Sequence, residues 1–275
     1  MQMDLIAGLP LFMRYQVSIR LESVASPGVF PILLSAFLGL VIGTLINYLA
    51  DVLPATRRFS QPVCPECSQP IPLKATLLSR PCPHCSYKRT KRHLIVLIIS
   101  AILCVLLQSF PFHGLNFWVT IPLLIYLGVI VVIDLEHRLV LVETSLFGLV
   151  LMLVYGLSFH GLVNAFSGAL GGMLIMLALF FLGMGFGKVV GIIRHKVINE
   201  VPFGFGDVVF GTILGLLCGW PSIVAGLLLG ILLFSAYSVL WLISLIITRR
   251  YKSFSNAQAL TPFLILGSII LFYLR

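Results

Sequence analysis

From Val29 onward the chain is built of long apolar blocks separated by short polar ones. Apolar runs of about 18 or more residues read as membrane-spanning helices. Eight runs are candidates: Val29–Ala50, Leu94–Phe110, Leu115–Ile133, Leu139–Leu157, Ala165–Phe186, Phe205–Trp220, Ile223–Ile247 and Leu260–Leu274. The sixth is short and glycine-rich, so its ends are the least sharply set. Met1–Ser26 lacks the ordered basic start, apolar stretch and small-residue cleavage site of a secretory signal. Residues 1–28 therefore read as a poorly structured or interfacial tail.

Composition strengthens this pattern. Hydrophobic residues make up 59% of the 275 and charged residues only 10%, with a mean hydropathy of +1.10, far above that of a soluble domain. The predicted fold is all-α: a polytopic membrane helix bundle of about eight spans with a small zinc-bound cytoplasmic insert. The expected organisation is a tail (1–28), a first transmembrane helix (29–50), the insert (51–93) and a transmembrane bundle (94–275).

A net charge of +9 could suggest nucleic acid, but its placement argues against that. Eight of the 18 Lys and Arg residues fall between the first two runs: Arg57, Arg58, Lys74, Arg80, Lys88, Arg89, Lys91 and Arg92. Arg138, then Lys188, Arg194 and Lys196, then Arg249, Arg250 and Lys252 occupy alternate later loops, for 15 of the 18 in all. The intervening loops, around Phe110–Asn116, Ser158–Asn164 and Gly219–Ser222, hold none. Cytoplasmic loops carry the basic excess, which places those four segments in the cytoplasm and both termini outside. Topology thus accounts for nearly all of the charge, and no nucleic-acid groove is expected.

The insert contains "CPECSQPIPLKATLLSRPCPHC", with Cys64 and Cys67 in one CxxC, Cys82 and Cys85 in the other, and 14 residues between them. Two tight turns presenting four thiolates suit tetrahedral zinc. Disulfides are the rival reading, disfavoured in a reducing cytoplasm. Four cysteines leave no open position for water, so the zinc is expected to be structural, supplying stability that a loop of about 40 residues cannot draw from burial. His84, inside the second knuckle, reads as exposed or beyond the ligand shell. Cys104 and Cys218 read as small packing residues.

Only nine residues are acidic. Glu200 lies in a polar stretch and reads as solvated. Asp134 closes the run "IYLGVIVVID", and Asp207 follows Gly204-Phe205-Gly206 in "PFGFGDVVFG". Charged groups so near hydrocarbon usually face a protein interior or a water-filled cavity. Plainer readings exist: Asp134 as a helix-end charge paired with Arg138, and Asp207 as a helix N-cap. Taken together, two carboxylates in one poorly solvated site cannot both ionise easily, and the pair titrates as a unit. Such a pair can hydrolyse an amide, one member taking a proton from water while the other protonates the carbonyl oxygen. Gly204 and Gly206 would let the backbone approach an extended substrate; helix packing through Gly211 and Gly215 is an equal explanation for glycines here.

The chain resembles the bacterial type IV prepilin peptidases, polytopic aspartic proteases of the inner membrane, from about Gly39 to its last span. "GTLINYLADVLP" (Gly43–Pro54) is similar to the family's first-span signature, and the paired CxxC loop follows in place. "IDLEHRL" (Ile133–Leu139) resembles the segment of the first catalytic aspartate, Asp134, and "GFGD" (Gly204–Asp207) is the GxGD motif of the second, Asp207. The resemblance implies cleavage of the basic leader of type IV prepilins or pseudopilins at the cytoplasmic face. It also implies possible methylation of the new N-terminus with S-adenosylmethionine. The chain departs from the family pattern at Leu141, Val209, Val96 and Asp51–Val52, which weighs mainly against the methyltransferase half. Another class of function, a transporter or pilus-assembly protein whose aspartates bind ions or protons, fits the sparse charge but not the absence of a detectable internal repeat. Spans three, four and six are expected to converge so that both aspartates face one cavity, with His137 more simply an exposed loop residue than a partner of Asp134.

Overall fold

A computed structural model describes residues 29–57, 60–64, 66–67, 69–72, 81–85, 91–111, 116–194, 204–248 and 258–274. The tail (1–28), Glu200 and most of the basic loop residues lie outside these. Among the described residues the chain is all-helical. The helices are α1 (Val29–Thr56), α2 (Lys91–Ser109), α3 (Phe117–His137), α4 (Val142–Arg194), α5 (Phe205–Cys218), α6 (Ser222–Ile247) and α7 (Thr261–Leu274). Five are long and apolar enough to cross a membrane. Their outward faces carry large apolar side chains such as Phe30, Leu94, Val163 and Ile247, which suits contact with lipid in a multi-pass membrane protein.

The predicted fourth and fifth spans are the two helical limbs of α4, separated at Gly161, whose φ 73° and ψ 174° are not helical. Glycine alone tolerates that conformation without strain, so a single residue does the work of a loop. The chain folds back there, bringing Gly156 against Ala165. Helix α1 extends to Thr56 and α2 begins at Lys91, so helix occupies both ends of the predicted insert.

Small residues set the pairing of helices. In α1 and α2, Gly39 faces Ala101, Gly43 faces Leu97, and Asn47 Nδ2 donates to the His93 carbonyl at 3.1 Å; the register falls by four as the other rises, an antiparallel pair. In the second limb of α4, Gly168 and Gly172 meet Gly215 and Gly211 of α5, backbone against backbone. Gly226 and Gly230 of α6 likewise meet Ser268, Leu264 and Gly267 of α7. Close approach through small residues is the usual way for helices to associate where lipid removes the hydrophobic incentive. Gly211 and Gly215 thus serve packing.

Helix α5 is the hub. Nine of its 14 residues are buried, and Phe210, Ile213 and Leu214 join the main core with Met152, Met176, Ile223, Leu227 and Leu264. A second core of Ile42, Ile46, Ala50, Val129, Ile133 and Leu141 locks α1 to α3. Helix α7 packs on both α3 and α5, whereas α3 and α5 make no close backbone approach to each other.

Candidate active site and metal centre

The four insert cysteines come together as the sequence predicts. Their sulfurs all lie within 4.8 Å of one another, with Cys64–Cys85 at 3.6 Å and Cys67–Cys82 at 3.7 Å. A disulfide needs about 2.05 Å, whereas sulfurs about 2.3 Å from a single tetrahedral zinc sit roughly 3.8 Å apart. The donor set therefore fits a metal such as zinc. The first knuckle is shaped by the Cys64 N–H donating to the Gln69 carbonyl (2.9 Å) and Ile71 N–H to Pro62 (2.7 Å), with Ile71 packed among the cysteines. At the second, the His84 backbone N–H on the Cys82 sulfur, helped by the Cys85 N–H and the neighbouring thiols and opposed by desolvation, lowers the Cys82 thiol to about 6. His84 itself is exposed.

An ionic cluster ties the insert's two ends to the bundle. Arg92, at the start of α2, bonds both Asp51 near the end of α1 and Glu136 in the last turn of α3, and His93 Nε2 lies 3.1 Å from Asp51 Oδ2. Asp51, a departure from the family pattern, thus has a local role. His137 is exposed and only 4.0 Å from Glu136, agreeing with its reading as a surface residue.

Asp134 lies two residues before Glu136 and is only 6% exposed. Its backbone carbonyl accepts the N–H of Arg138, which ends α3 in the left-handed region (φ 52°). Its side chain turns inward, Oδ2 accepting the N–H of Thr261 at 3.2 Å. Asp207 stands at the third position of α5, not at the N-cap, which is Gly204. Its Oδ2 accepts the Gly204 N–H at 3.0 Å and its own N–H donates to the Gly204 carbonyl at 3.1 Å. The carboxylate caps the helix reciprocally from inside the first turn, as a capping-box acid does. Among the described residues no hydrogen bond reaches Oδ1 of either aspartate. The two carboxyl groups are near enough for their charges to interact.

The segments that carry them touch at one further place. A Cβ on Gly206 would sit 2.7 Å from the Cβ of Val140 in the turn after α3, so Gly206 lacks a side chain because Val140 occupies that space. Gly204, by contrast, is exposed with nothing closer to its Cβ position than Asp207 Oδ2 at 3.8 Å, so there is open space beside it although its N–H and carbonyl are both bonded to Asp207. Leu141 is buried, its carbonyl accepting the Thr144 and Ser145 hydroxyls, and Val209 packs against the main core.

The expected convergence differs in its members. The start of the eighth span, α7, reaches Asp134, while the third and sixth meet through Gly206 and the turn at Val140 rather than along their helices. Thr261 is the residue that sequence reasoning missed; its one signal is a Thr-Pro pair opening an apolar run. A cavity of about 560 Å³ runs along α3 from Thr120 to Glu136 between α2 and α7 and includes neither aspartate. Val96, Arg92 and Glu136 line it.

Comparison with curated proteins and with solved structures finds no match. Residues 121–273, more than half of the chain, match the model of the type IV leader peptidase family. The matched stretch contains Asp134, Asp207 and Thr261 and begins after the four-cysteine insert, so the chain is a peptidase that belongs to the type IV leader peptidase family.

Proposed function

We propose that the chain is an aspartyl endopeptidase that removes the basic leader from type IV prepilins or pseudopilins at the cytoplasmic face of a bacterial inner membrane. One observation carries the reading: within the family-matched stretch, the segments bearing the two carboxyl groups meet where Gly206, beside Asp207, packs on Val140, six residues after Asp134, and each carboxyl has one oxygen held by a backbone N–H. Fixing Oδ2 in each case leaves Oδ1 to face a water or a carbonyl. Two acids held so share a proton. The ionised member takes a proton from water as it attacks the scissile carbonyl, and the other donates to the carbonyl oxygen. The proton then passes to the departing amine. Gly204, at the exposed edge, leaves space for the leader to pass close beside Asp207.

The basic loops support a cytoplasmic position for the insert, and Asp134 lies on the insert side of the bundle, two residues from the Arg92 cluster. The four cysteines would hold zinc as a structural ion, closing the insert around a centre with no open coordination position. Nothing comparable supports a site for S-adenosylmethionine, and the proposal stops at hydrolysis. Incubating purified protein with a prepilin and weighing the products tests it. Asp134→Asn and Asp207→Asn each abolish cleavage while the protein still accumulates in the membrane; wild-type cleavage by either variant refutes the dyad.

A further inference from the structure

Helix α7 begins in an unusual way. Its N-cap position is Leu260, whose carbonyl accepts the N–H groups of Phe263 and Leu264 but whose side chain cannot cap. Pro262 has no N–H to satisfy. Of the donors left open at a helix start, that of Thr261 goes to Asp134 Oδ2, 127 residues away in sequence. The carboxylate of another helix thus serves as the cap, at the end where the peptide dipoles favour negative charge.

A second observation is independent of the helix end. Thr261 is 0% exposed, yet its hydroxyl oxygen has no hydrogen-bond partner. A buried hydroxyl without a partner is costly, and valine would fill the same volume at no such cost. The hydroxyl lies beside Asp134 without completing a bond to it. Because α7 packs on both α3 and α5, whose backbones do not approach each other closely, this hydroxyl sits at the start of a helix that touches both aspartate-bearing elements.

We propose that Thr261 is a positioning residue for the reaction: its backbone N–H fixes Asp134 Oδ2, and its hydroxyl donates to the same carboxylate once water and substrate draw the site together. The proposal rests on the reading of Asp134 as one of the catalytic pair. In the resting state the hydroxyl is held ready rather than engaged, as catalytic hydrogen bonds often are before substrate binds. Its bond forms as Asp134 gives up its freedom to turn, keeping Oδ1 directed at the water.

The test is a pair of variants with opposite losses, measured in the full-length purified protein by kcat and KM for leader cleavage and by thermal unfolding. Thr261→Val keeps shape and discards the hydroxyl; Thr261→Ser keeps the hydroxyl and discards a methyl. The expected result is a kcat lowered roughly 10- to 100-fold in Thr261→Val, with KM little changed and Tm equal or higher. Thr261→Ser retains most of its kcat but unfolds at a lower temperature. A role in packing alone predicts the reverse order. Wild-type kcat in Thr261→Val, or equal loss of kcat in both variants, overturns the proposal. Asp134→Asn is run alongside: if it is inactive while Thr261→Val is fully active, only the role of Thr261 falls; if it cleaves normally, the dyad and the role of Thr261 fall together.

Discussion

Gly206→Ala is the most exacting perturbation of the site, because it adds one methyl beside Asp207. The new Cβ would lie 2.7 Å from Val140 Cβ and 2.8 Å from its Cγ2, whereas ordinary contact begins at 3.4 Å. Helix α5 and the turn after α3 must therefore part by about 0.7 Å, and that turn follows directly on the helix end bearing Asp134. Overpacking of this kind costs about 1–3 kcal/mol, while alanine regains up to about 1 kcal/mol over glycine in a helix. The net loss of stability is then about 0–3 kcal/mol. Activity responds more strongly, since a displacement near 1 Å can cost about 100-fold; a 10- to 100-fold fall in kcat is expected, with Tm lowered by only a few degrees. Gly204→Ala, where the added methyl has space, supplies the comparison and keeps its stability. Val140→Gly removes both clashing atoms, so the double variant Gly206→Ala/Val140→Gly recovers most of the lost cleavage, a coupling of the sign expected for touching residues. Full activity in Gly206→Ala, or no recovery in the double variant, would show that this contact does not set the spacing of the two acids.

Arg92→Met strands Asp51 and Glu136 without their shared cation; because all three side chains keep some solvent, the loss is about 1–2 kcal/mol, read as a lowered Tm in detergent at low salt. Metal analysis finds about one zinc per chain, and chelation lowers the unfolding temperature; a metal-free protein of unchanged stability would contradict the zinc reading.

The long apolar helices and the metal knuckles were legible because each rests on local pattern: apolar length and CxxC spacing. The break at Gly161 was legible only as a gap between runs, since nothing in "SFHGLVN" says that one glycine suffices to reverse the chain. The role of Asp207 was half legible. An acid at the start of an apolar run signals capping, but the N-cap falls on Gly204 because the helix begins three residues sooner than the charge suggests. Two features left no local trace. Arg92 meets Asp51 and Glu136 across 41 and 44 positions, and Thr261 meets Asp134 across 127; each partner alone looks like an ordinary helix-end residue. Gly206 reads as an open backbone until Val140 is seen to fill it.

The ends of the cysteine segment leave and rejoin the bundle at one riveted point, where Asn47 holds the His93 carbonyl and Asp51 holds Arg92 and His93. Loop closure is thus completed by α1 and α2 themselves, and the segment between them carries no mechanical duty in holding the bundle shut. A change of length between these anchors would leave the pairing of α1 with α2 in place.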